Sequence, residues 1–150
     1  LSHTYTKLLI HAVFSTKDRR PLVHTSFQKN LYAYVAGILK NNDCFLIRAG
    51  GIADHVHLLF ALGPTIAVAE IIRLVKSNSS KWLHETFPEA KAFAWQNGYS
   101  AFSVSRSSED AVVAYVEGQE EHHRRLTFQE ELRALLEKHG IEYDERHIWE

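Results

Sequence analysis

Apolar and polar positions along this chain change their period several times, and each change marks an element. Residues 7–16 form an apolar, β-branched-rich run stopped by Lys17-Asp18-Arg19-Arg20-Pro21, which predicts a strand followed by a charged loop. From Ser26, an N-cap candidate, Phe27, Leu31, Tyr34, Val35 and Ile38 recur at helical spacing as far as Lys40, and Asn41-Asn42-Asp43 ends that helix. Residues 44–49 and 53–62 read as two strands joined by a hairpin turn at Gly50-Gly51. Gly63-Pro64-Thr65 breaks the pattern and caps a second helix that runs to about Phe87. Residues 92–104, with Trp95, Tyr99, Phe102 and Val104 around Gly98, read as one bent strand or two short ones. A helix from Ala111 to roughly Arg124 follows, weakened at Gly118 by about 1 kcal/mol relative to Ala. Residues 127–139 form a last amphipathic helix, opened by a Thr-Phe-Gln-Glu capping box and closed by Gly140. The final ten residues are acidic and aromatic.

The order β-α-β-β-α-β predicts an α+β fold: a ferredoxin-like, split βαβ antiparallel sheet with helices on one face, followed by C-terminal helices. One domain spans 1–150, with a core of about 1–104 and a helical part of about 105–150. The sheet face without helices is expected to stay open, and basic and aromatic side chains there would suit single-stranded nucleic acid.

Composition narrows the setting. A hydrophobic content of 45% in 150 residues provides a real core. The one cysteine, Cys44, excludes an internal disulfide, and the N-terminal stretch lacks the blocks of a secretion signal, so a cytoplasmic chain is expected. Its apolar runs fall short of the roughly 20 residues that cross a membrane, so no membrane association is expected. Net charge is only −1, yet the distribution is uneven. Residues 1–83 hold ten Lys and Arg against four acids; residues 84–150 hold seven against fourteen. A basic half of that kind can neutralise phosphates if its cations share a face.

The candidate chemistry starts at His55-Val56-His57. A strand there throws both imidazoles onto one face, where they could hold a divalent metal. On the helix some sixty residues later, Tyr115 and Gln119 stand four apart and share a face, so the amide oxygen could complete a metal site beside a phenol. A phenol with a pKa near 10 needs a metal or base nearby to act as a nucleophile. Without a cysteine cluster structural zinc is excluded, and oxygen-rich coordination would favour Mg2+ or Mn2+. Buried, hydrogen-bonded histidines and a packed tyrosine are the plainer alternatives.

Six blocks carry a resemblance over nearly the whole chain: His11-Ala-Val-Phe-Ser-Thr-Lys-Asp-Arg-Arg-Pro21, Asp54-His-Val-His-Leu-Leu59, Lys76-Ser-Asn-Ser-Ser-Lys-Trp82, Trp95-Gln-Asn-Gly-Tyr99, Tyr115-Val-Glu-Gly-Gln-Glu-Glu-His-His-Arg124, and Phe128-Gln-Glu-Glu131 with Gly140-Ile-Glu-Tyr-Asp-Glu145. The chain resembles the single-tyrosine HUH transposases, the IS200-like enzymes of bacterial insertion sequences and their REP-associated relatives. The resemblance implies that His55, His57 and Gln119 are metal ligands and that Tyr115 is the nucleophile. It implies cleavage and rejoining of single-stranded DNA with hairpin ends through a 5′-phosphotyrosine, in a nucleoid-associated bacterial or archaeal protein. It also implies a homodimer in which the tyrosine helix of one subunit can complete the site of the other. Lys17, Arg19, Arg20, Lys76 and Lys81 are candidates for backbone contacts with DNA. Gly118 departs from the family pattern, where Asn is more usual.

Three rival readings are weaker. A rolling-circle replication initiator would place Lys near the tyrosine instead of Gln119. A two-histidine phosphoesterase needs two His-x-Ser/Thr motifs on strands, and His24-Thr25-Ser26 and His84-Glu85-Thr86 fall at or within helices. A domesticated hairpin-DNA-binding protein would use the fold and the basic half without cutting, and the presence of His55, His57, Tyr115 and Gln119 together favours the enzyme over it.

Overall fold

A computed structural model describes residues 3–149. Four antiparallel strands, β1 (Leu9–Ser15), β2 (Phe45–Ile52), β3 (His55–Ala61) and β4 (Ser100–Val104), form one sheet in the order β2-β3-β1-β4. The helices are α1 (Gln28–Asn41), α2 (Val68–Thr86), α3 (Glu109–Glu117), α4 (Gln119–His122) and α5 (Phe128–Lys138). The architecture is the α+β split βαβ arrangement anticipated from the pattern.

Alternation along the strands divides the interior in two. Ala12 and Phe14 of β1 and Val56, Leu58 and Phe60 of β3 face α1 and α2, where they pack with Leu31, Val35, Leu39, Ile71, Ile72 and Val75. Val13 and Phe102 face the other way and pack with Phe128, Leu132 and Leu136 of α5. The second face is therefore covered, not open: the C-terminal helices lie across it. This explains why six of the seven residues of β3 are buried, since a strand sandwiched between two layers has no side facing water.

Several boundaries differ from the sequence pattern. The hairpin turn falls at Ala53-Asp54, and Gly50 and Gly51 sit inside β2, paired with His57 and Val56. Ser26 does not cap α1; its hydroxyl donates to Glu89 instead (2.8 Å), and the cap position is Phe27. Helix α2 starts at Val68, three residues past Thr65. The helix expected over 111–124 is broken at Gly118 into α3 and α4. The capping box of Thr127 and Glu130 is present at α5, and Gly140 after it takes a positive φ of 66°. Among the described residues no helix is long and apolar enough to cross a membrane.

Candidate metal and nucleophile centre

His55 and His57 open strand β3 and project from the face covered by α3, α4 and α5, where both are fully buried. Helix α3 reaches this face because Gly50 lets it approach: a Cβ at that position would lie 2.0 Å from the carbonyl oxygen of Val116. The approach brings the last turn of α3, with Tyr115, beside His57, their ring centroids 5.7 Å apart. Across the break at Gly118, Gln119 is buried and points inward. Its amide nitrogen donates to the Tyr115 carbonyl (3.3 Å) and to Glu131 Oε2 (3.2 Å). Its oxygen thereby faces His55 Nε2 (3.1 Å).

The centre also contains two groups the sequence reading did not assign, Glu131 and His123. Glu131, in the first turn of α5, is buried with Oε1 3.0 Å from His57 Nε2, 3.0 Å from His123 Nε2 and 3.3 Å from His55 Nε2. Its other oxygen accepts the Tyr115 hydroxyl proton. One donor atom from each of His55, His57, His123 and Glu131 lies within 4.8 Å of the others. Both missed residues sat in stretches that look solvated, a charged run and a helix first turn. The available signal was position: 131 falls on the apolar stripe of Phe128, Leu132 and Leu135.

Each imidazole has its outer nitrogen engaged. His55 Nδ1 donates to Asp54 Oδ1 (2.7 Å) and His123 Nδ1 donates to the Leu126 carbonyl (2.7 Å), while His57 Nδ1 lies 2.8 Å from His11 Nε2. In their neutral forms, then, His55 and His123 turn lone pairs inward, toward the Gln119 and Glu131 oxygens, which are themselves acceptors. A buried cluster with so many acceptors and so few protons calls for positive charge. The donor set fits a divalent cation, and His55, His57, His123, Glu131 and Gln119 are the residues able to hold one.

The protonation preferences of the chain alone express the same demand. Burial opposes charge on His55, but Asp54 and Glu131 outweigh it and raise its pKa to about 9. Burial, then the nearby His57, pushes His11 down to about 3. Burial also lowers His57. On Glu131 burial favours the neutral acid, yet the hydrogen bonds from His55 and His57 hold it far below the carboxylate range. Burial and the adjacent Glu131 raise Tyr115 well above an ordinary phenol. Tyr115 stands between two clefts. One, of about 510 Å3, is lined by His11, Ser103, Ser105, Lys138 and His139; the other, of about 560 Å3, by Gly118, Glu121, His122 and Arg125.

The five basic candidates are scattered. Lys76 and Lys81 lie on α2, on the far side of the sheet from the imidazoles. The Lys76 ammonium donates to the carbonyls of Gln96 (3.0 Å) and Gly98, and burial lowers its pKa to about 8. Its charge is committed to holding the 96–98 loop. Lys17 and Arg20 are exposed, and Arg19 donates to the Trp149 carbonyl (3.3 Å) with its guanidinium 5.4 Å from that ring. His24 sits in the loop just before the turn that leads into α1 and His84 near the end of α2, so neither His-x-Ser/Thr motif lies on a strand.

This pairing of a split βαβ sheet with a buried histidine–carboxylate centre and an adjoining tyrosine defines the class, and comparison with known proteins supplies the family. The profile described as "Transposase IS200 like" matches residues 4–119, and the chain belongs to that family. It is 25% identical over 113 residues to the transposase for insertion sequence element IS200 of Salmonella typhimurium, covering 72% of this chain and 74% of that protein. It is 23% identical over 118 residues to the ISDra2 transposase TnpA of Deinococcus radiodurans, covering 75% and 84%. Among solved structures, a candidate transposase of Deinococcus radiodurans shares the fold with a TM-score of 0.65 at 22% identity, over 79% of this chain and 95% of that one. A REP-associated tyrosine transposase bound to a REP hairpin shares it with a TM-score of 0.57 at 13% identity, over 77% and 68%. Glu131 and His123 lie beyond the span that the family profile matches.

Proposed function

We propose that this transposase cleaves and rejoins single-stranded DNA through a covalent bond between the Tyr115 oxygen and a 5′-phosphate, in a metal-dependent reaction. One observation carries the reading: a single carboxylate, Glu131, accepts the Tyr115 hydroxyl through one oxygen and faces three imidazoles through the other.

In the cleavage step Tyr115 Oη attacks phosphorus and passes its proton to Glu131 Oε2, the bond from phosphorus to the 3′ oxygen breaks, and that oxygen takes up a proton from water to leave as a 3′-hydroxyl. In the joining step the 3′-hydroxyl of another strand attacks the phosphotyrosine and the phenol is regenerated. No external energy source is required, because one phosphodiester is exchanged for another. A divalent cation held by the histidines, Glu131 and Gln119 would neutralise charge on a non-bridging oxygen of the phosphate. Burial and Glu131 raise the pKa of Tyr115, so the phenol is protonated in the free chain and needs a neighbouring base or cation to act as a nucleophile. The clefts on either side of Tyr115 give the nucleotides flanking the scissile phosphate somewhere to lie, with Lys138 and Arg125 near their phosphates. All these groups come from one chain, so the reading needs no partner subunit to deliver the tyrosine.

The relative solved with a REP hairpin supports a hairpin substrate, and Lys17, Arg19, Arg20 and Lys81 remain the surface cations proposed to hold its backbone. The test is a labelled hairpin-bearing single strand incubated with the chain and Mn2+, then run under denaturing conditions. A covalent protein–DNA band is expected, absent with chelator and in Tyr115→Phe. A band that persists in Tyr115→Phe excludes Tyr115 as the nucleophile; tight hairpin binding with no band at all replaces the reading with a binding protein.

A further inference from the structure

We infer that this centre is a nitrogen-rich, five-donor site that selects a borderline transition metal such as Co2+, Ni2+ or Zn2+ over Mg2+, with His123 and Glu131 among its ligands. The inference takes the divalent-cation site of the proposed function as given and specifies which cations it accepts.

Three observations carry it. First, the donor set is three imidazole nitrogens, one carboxylate oxygen and one amide oxygen. Imidazole suits the later first-row metals, whereas Mg2+ prefers oxygen ligands and retains several waters. Second, the two oxygens are already spaced from the imidazole nitrogens they face like edges of a coordination polyhedron, and one donor atom from each of the three imidazoles and the carboxylate lies within 4.8 Å of the others. The His57–Glu131, His123–Glu131, His55–Glu131, His55–Gln119 and His123–Gln119 separations are 3.0, 3.0, 3.3, 3.1 and 3.0 Å. Bonds of about 2.1 Å at octahedral or tetrahedral angles give edges of roughly 3.0–3.4 Å. Third, the surroundings are built for imidazole ligation. Asp54, His11 and the Leu126 carbonyl each hold an outer nitrogen, and the Phe128 ring stacks on His55 at 4.5 Å.

The measurement is metal binding by the full chain, independent of DNA. Titration with Co2+, Zn2+ and Mg2+ is expected to give one site at which Co2+ and Zn2+ bind roughly 100-fold or more tighter than Mg2+. X-ray absorption of the Co2+-loaded wild-type chain is expected to show scattering from three imidazoles, a readout that needs no variant to fold. In His123→Ala one imidazole is lost and Co2+ affinity falls about 10-fold or more, with Mg2+ binding unchanged. Mg2+ binding within threefold of Co2+, two imidazoles or fewer on the wild-type metal, or an unaltered Co2+ affinity in a folded His123→Ala overturns the inference. If the metal order holds and no Tyr115–DNA adduct forms, the site assignment stands and the DNA-cleavage reading fails. If the adduct forms while Mg2+ binds as tightly as Co2+, the cleavage reading stands and this assignment falls.

Discussion

At the scale of single residues, the centre stores opposing titrations whose signs can be worked out. His11 has its pKa lowered from 6.5 to about 3, so between those values the unfolded chain binds more protons, and stability rises as pH increases through that window. His55 has its pKa raised from 6.5 to about 9, so there the folded chain binds more protons, and stability falls as pH rises from 6.5 to 9. With chelator present, urea unfolding is expected to show greatest stability near pH 6.5, with the acid limb losing on the order of 5 kcal/mol and the alkaline limb on the order of 3 kcal/mol. Asp54→Asn removes a hydrogen bond that supports charge on His55 and should flatten the alkaline limb alone. Stability that still climbs between pH 6.5 and 9 in the wild type would mean that His55 is neutral. The same scale shows what the sequence discloses. His55 and His57 declare themselves because a two-residue spacing on a strand puts them on one face, and Tyr115 with Gln119 because four residues make one helical turn. Glu131 stays hidden because an acid in a helix first turn is ordinarily explained by the helix dipole and water, and only its place among Phe128, Leu132 and Leu135 marks it as inward.

At the scale of elements, the strands and helices were legible from periodicity, and the connections were not. A glycine pair between two apolar runs has the look of a hairpin turn, but here Gly50 is demanded by the carbonyl of Val116 on a helix more than sixty residues away. Local pattern carries no information about that contact. Gly50→Val should displace α3 and cost about 1–3 kcal/mol, with loss of the covalent band exceeding the loss of folded protein. A variant that labels DNA normally would show that α3 does not depend on this approach. The Thr127 cap at the other end of the site is a smaller contribution: Thr127→Ala is expected to cost about 1 kcal/mol in chemical denaturation, since the Glu130 amide loses its acceptor. The pattern makes Gly118 a weak point in one helix, whereas it separates two, so that Gln119 begins a new turn directed at the imidazoles.

At the scale of the whole molecule, the expectation that fails is the open sheet face. Counting two crossover helices places them on one side, but it does not show that α3, α4 and α5 fold back over the other. Stacking of bases on that face is therefore closed off, which leaves the exposed cations as the groups proposed to hold a strand. Arg19→Ala combined with Arg20→Ala should lower the slope of log affinity against log salt for a hairpin by up to about 1.8, at roughly 0.7–0.9 per phosphate contact. An unchanged slope would locate the nucleic acid elsewhere. Lys76→Ala, by contrast, should loosen the 96–98 loop and reduce stability, because its charge already serves two backbone carbonyls.

Because Glu131 touches the phenol with one oxygen and the histidines with the other, damage at this one position strikes two faculties together. On the proposed chemistry, a screen that scores only joined strands would record such a lesion as a dead nucleophile, when half of its defect is an ion the protein can no longer keep.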